Sequence, residues 1–101
     1  MSRAVLAPIA ERDLLQIVRW IAQDNPAVAM AFRDALNDIA TSIGNHPEIG
    51  VVKSCLASPS TRFLTIKGFP YVVVYTTDKT PPLIVRVIHG ARDFPEVLRD
   101  L

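Results

Sequence analysis

Between Arg62 and Ile88 the chain carries three runs rich in β-branched and aromatic residues, separated only by short turns. Arg62–Lys67 alternates, with Phe63, Thr65 and Lys67 on one side and Arg62, Leu64 and Ile66 on the other. Gly68-Phe69-Pro70 leads into Tyr71–Thr77, YVVVYTT, and Asp78–Pro82 leads into Leu83–Ile88, LIVRVI. Connections this short cannot return a chain to the same end of a sheet, so consecutive strands must run antiparallel. The C-terminal half is therefore a meander, and one of its faces must be covered by what precedes it.

The N-terminal half has the covering elements. Pro8 suits the first turn of a helix, and Ala10, Leu14, Ile17 and Ile21 recur at spacings of four, three and four up to an end near Gln23. Asp13, Asp24 and Asp38 are expected to be solvated helix charges. Asp24-Asn25-Pro26 combines a turn with a helix cap, because Asn25 can accept from the first free N–H groups and Pro26 lacks one. Ala29, Phe32, Leu36, Ile39 and Ile43 then form a second stripe, which Gly44 and Asn45 are expected to stop. Two amphipathic helices joined this tightly predict an αα-hairpin. Arg3–Ala7 reads as an edge strand or a leader into the first helix. Residues 45–61, with Pro47, Gly50 and Pro59, read mainly as a loop, with Val51–Lys53 as a possible short strand. Pro95 permits a short helical turn carrying Val97 and Leu98. The expected class is α+β: an N-terminal edge strand, a helical hairpin on one face of an antiparallel three- to four-stranded sheet, and a C-terminal helical turn, all within a single domain over residues 1–101.

Composition removes several classes. Half of the residues are hydrophobic and 21% are charged, which is too apolar for a disordered chain. Cys55 is the only cysteine, so neither an intrachain disulfide nor a cysteine zinc site can form. No apolar run approaches the ~20 residues that span a bilayer, and a cytoplasmic location is expected. The net charge of +1 does not call for nucleic acid. Residues 1–50 hold four Arg/Lys against six Asp/Glu and residues 51–101 hold seven against four, so the sheet half can present a basic surface. No spacing of acids, histidines or cysteine suggests a metal site, and no cofactor is expected.

Several stretches carry a resemblance: DLLQIVRWIAQDNPAVAMAF in the hairpin, HPEIG after it, FPYVVVY in the central strand, and RVIHGARDFPEVL at the end. In this order, over about Leu6 to Leu98, the chain resembles the ParE branch of the RelE/ParE toxin superfamily of bacterial toxin–antitoxin modules. The resemblance implies a toxin that inhibits DNA gyrase and blocks replication. It also implies a ParD-like antitoxin, with a DNA-binding N-terminal part and a C-terminal segment that wraps the toxin. Sequence-specific DNA binding by the toxin alone is not implied. RelE-like relatives cleave messenger RNA on the ribosome, and a non-toxic interaction domain on the same scaffold is a third reading.

The residues weigh on that choice. Cleaving RNA through its own 2′-hydroxyl needs a base, an acid and cations for the developing charge. His89, Arg62 and Arg86 are the candidates for that role, and no tyrosine follows Tyr75. The set is thin, so the leaning is towards binding over catalysis, with Arg62, Arg86 and Arg92 as target-binding cations. By strand alternation Arg86 falls on the side with Ile84 and Ile88, and His89 on the side with Leu83, Val85 and Val87. Arg86 is either paired with an acid or aimed into a solvent-facing groove. His89 is either a partly buried histidine bonded to Asp93 or backbone, or a functional group. Trp20 lies off the buried stripe and either packs at its flank or borders an apolar groove for an antitoxin helix. Phe32 and Arg86 are the other candidate antitoxin contacts.

Overall fold

The computed structural model describes residues 3–53 and 58–91. Strand β1 (Val5–Leu6) leads into helix α1 (Pro8–Asp24) and helix α2 (Pro26–Asn45). A 3₁₀ turn over Pro47–Ile49 precedes β2 (Val51–Val52), β3 (Thr61–Thr65), β4 (Tyr71–Thr76) and β5 (Leu83–His89). The sheet order is β1-β5-β4-β3-β2, antiparallel throughout except that β1 runs parallel to β5. The sheet therefore has five strands where three to four were expected. The extra one is β2, inside the segment read mainly as loop. It falls on the possible short strand at Val51–Lys53, and two residues are too few for a period to mark it firmly.

Asn25 is the whole connection between the helices. Its N–H closes α1 on the Ile21 carbonyl at 2.8 Å, and its Oδ1 accepts from the N–H groups of Ala27 and Val28. One residue thus caps both helices, which forces them into a tight hairpin. Asn25→Ala is expected to lower stability by ~1 kcal/mol, measurable by urea unfolding; a variant as stable as the parent would show that water satisfies those donors equally well. At the far end, α2 continues through Gly44 to Asn45 before His46 ends it, one residue beyond the expected stop.

The principal core lies between hairpin and sheet. Ala10 and Ile17 of α1 and Phe32, Leu36, Ala40 and Ile43 of α2 meet Ile66, Val73, Tyr75, Ile84 and Val87. Phe32 is edge-on to Phe69 at 5.1 Å and to Tyr71 at 5.3 Å, geometries worth ~1 kcal/mol each beyond burial. Phe63, Val74 and Ile88 form a second cluster, flanked by Val72 and Val85. The alternation expected for β3 holds, with Phe63 in one cluster and Leu64 and Ile66 in the other. Strand β5 breaks its alternation. Val74 pairs with Arg86 while Tyr75 pairs with Ile84, so Val85 is the extra residue of a β-bulge. Beyond the bulge the side chains exchange sides, which puts Val87 with Ile84 in the core. The turn from Pro95 and the Arg92 and Asp93 expectations lie outside the described residues.

Candidate functional site

Arg86 reaches from β5 to α1. Its Nε donates to Asp13 Oδ2 at 2.8 Å and its Nη2 to Asp13 Oδ1 at 3.2 Å, while the Val87 N–H donates to Oδ2 at 3.0 Å. Asp13 is 9% exposed and is not a solvated helix charge. It stands three residues after Ala10 and four before Ile17, on the stripe that faces the sheet. A carboxylate there costs desolvation unless its acceptors are filled, and the bidentate guanidinium and the strand N–H fill them.

Around this pair lies a cleft of about 340 Å³, lined by Asp13, Gln16 and Trp20 of α1 together with Tyr71, Arg86 and His89 of the sheet. The His89 ring stands edge-on to Tyr71 at 5.1 Å, and its Nδ1 accepts the Ala91 N–H at 3.0 Å. In the neutral ring that bond leaves the proton on Nε2. Trp20 is 69% exposed, the largest apolar side chain so placed among the described residues. It also borders a second groove of about 620 Å³ at the hairpin tip, with Ile21, Gln23, Asp24, Asn25 and Val28. One exposed tryptophan thus joins a polar cleft to a partly apolar groove.

Other expected site residues lie elsewhere. Phe32 is fully buried between the helices and the sheet, so it supports the core and does not border a groove. Arg62 is two strands away from β5. Its Nη1 donates to the carbonyls of Glu48 at 3.1 Å and Gly50 at 2.8 Å. Beside it the Tyr75 hydroxyl accepts the Gly50 N–H at 2.8 Å and donates to the Pro47 carbonyl at 2.6 Å. Burial pushes the Tyr75 hydroxyl above its ordinary value of 10.0, against the opposing pull of the Gly50 N–H and Arg62, so the phenol keeps the proton it donates. A Cβ on Gly50 would lie 2.7 Å from the Tyr75 ring. These contacts clamp the turn before β2; they do not assemble with His89. Only His89 and Arg86 of the RNA-cleavage set share a cleft. Asp13, Gln16 and Tyr71 are lining residues that the sequence did not single out. The legible signal was the position of Asp13 on the buried stripe.

Among the described residues no group of three His, Cys, Asp or Glu side chains is placed to hold a metal, and no helix is long and apolar enough to cross a membrane. The fold is similar to that of a solved structure described as the chromosomal ParDE TA system from P. aeruginosa. That match has a TM-score of 0.69 at 16% identity over 88% of this chain and 96% of the other, which establishes a shared fold. No curated protein sequence matches the chain. The architecture is thus that of a small α+β domain with a helical hairpin on one face of a five-stranded sheet. Residues 4–94 match the profile of the family described as "ParE toxin of type II toxin-antitoxin system, parDE", and the chain belongs to that family.

Proposed function

We propose that this ParE-family toxin acts by binding DNA gyrase and blocking replication, and that an antitoxin encoded with it silences it. The observation that favours binding over RNA cleavage is the engagement of the candidate catalytic cations. Arg86 is tied to Asp13, and Arg62 is tied to two carbonyls two strands away. A transition state needs cations that converge on one developing charge, and these diverge. Arg86 nevertheless keeps one face open among the described residues: Nε and Nη2 are engaged there, and Nη1 has no partner. That group and Trp20 are the contacts we assign to the partner surface. Neutralisation would follow if the antitoxin's C-terminal segment covers Trp20 and the cleft. The competing reading, cleavage of messenger RNA on the ribosome, draws on His89 and Arg86 sharing that cleft.

The two diverge in the order of events after induction in a bacterial host without antitoxin. Pulse labelling is expected to show DNA synthesis falling first, with purified gyrase trapped on cleaved DNA. Early loss of protein synthesis with fragmented messages would transfer the function to RNA cleavage. Unimpaired growth with stable antitoxin binding would leave an interaction domain.

A further inference from the structure

Strand β5 is paired with β4 along its length, but β1 covers its other edge only at Leu83 and Ile84. Beyond Ile84 no strand lies on that edge among the described residues. The hydrogen bonds settle which backbone groups face it. The Gly90 N–H donates inward to the Pro70 carbonyl at 2.8 Å, and the Val87 N–H points the other way, to Asp13. Strand alternation then puts the Val87 carbonyl and both the N–H and carbonyl of His89 on the open edge.

The two ends of this window are closed. Asp13 occupies the Val87 N–H, and the His89 ring occupies the Ala91 N–H. What remains is acceptor, donor, acceptor at strand spacing, a pattern that another extended backbone matches and single side chains do not. The surroundings restrict the side chains of that backbone. Trp20 and Gln16 overhang the edge from α1. Among the described residues, the one carboxylate lining the cleft, that of Asp13, is already bonded three times, whereas Arg86 Nη1 has no partner. An incoming segment therefore gains from an acidic residue near Arg86 and an apolar one under Trp20.

We propose that the Val87–His89 edge of β5 receives an extended acidic segment of the antitoxin as a sixth strand, in a register limited at one end by Asp13. This rests on the reading of the chain as an antitoxin-bound toxin. The test uses the purified toxin and the antitoxin encoded with it. The His89 N–H points away from β4, so His89→Pro deletes an outward donor and leaves the β4 ladder intact. His89→Ala removes only the imidazole, with its Tyr71 and Ala91 contacts. The Pro variant is expected to bind antitoxin about tenfold or more weakly than the Ala variant, the scale of one lost hydrogen bond with its partner left unpaired. In the unsubstituted toxin the His89 amide is expected to exchange readily when free and to be protected in the complex. That exchange measurement decides alone if the Pro variant does not fold. Binding with no protection at His89 overturns the strand addition and leaves the antitoxin reading standing. A toxin that binds no antitoxin overturns both.

Discussion

Asp13→Ala is expected to destabilise the protein by ~3 kcal/mol, because removing one partner of a largely buried ion pair leaves the other charge uncompensated. For a chain of 101 residues that corresponds to a fall in melting temperature on the order of 15 °C. The effect has two components. Arg86, with a side chain 17% exposed, loses the carboxylate that holds Nε and Nη2, and Val87 loses the acceptor of its N–H. Asp13→Asn separates them, since an amide oxygen can still accept from Val87 while the charge is gone; it is expected to recover part of the loss. Thermal or denaturant unfolding of the purified variants gives both numbers. A loss below ~1 kcal/mol for Asp13→Ala would show a pair that is effectively solvated, as surface ion pairs are. The ion pair also affects how function can be tested. Arg86 fixes α1 to β5, so removing it disturbs the scaffold as well as any surface it presents.

The hairpin and the meander were legible because their determinants are local. Asn25-Pro26 makes one cap that serves two helices, and the Ala29, Phe32, Leu36, Ile43 positions of the expected stripe are buried, with Ile39 half-buried and Ala40 buried beside it. What escaped depends on contacts across the chain. Asp13 and Arg86 are 73 positions apart, and neither position alone reveals an ion pair. The bulge at Val85 shows only when β5 is laid against β4, and it reverses the faces that simple alternation assigns to the residues after it. The two-residue β2, only a possible strand in the sequence, follows a turn that Arg62 and Tyr75 pin, a task no local pattern encodes. Within the candidate site, Arg86 and Trp20 were identifiable as residue types out of keeping with their surroundings. Their common cleft was not, because α1 and β5 meet only in the folded chain.

Trp20→Ala is expected to leave stability within ~0.5 kcal/mol of the parent, as for an exposed side chain outside the core. Its affinity for the antitoxin should nevertheless fall by ~2–4 kcal/mol, roughly 30- to 1000-fold. The dissociation between the two effects follows from position. An indole 69% exposed contributes little to folding but exposes apolar surface that a partner can bury, between a polar cleft and a partly apolar groove. Leu15, 56% exposed on a different face of α1, is the matched control. Leu15→Ala is expected to change affinity less than about threefold, the scale of a residue outside a binding hot spot. Titration calorimetry of each variant against the antitoxin, alongside urea unfolding, separates the outcomes. If Leu15→Ala weakens the complex and Trp20→Ala does not, the antitoxin docks on the opposite side of α1. The open edge of β5 then loses the wall that would hold a strand against it.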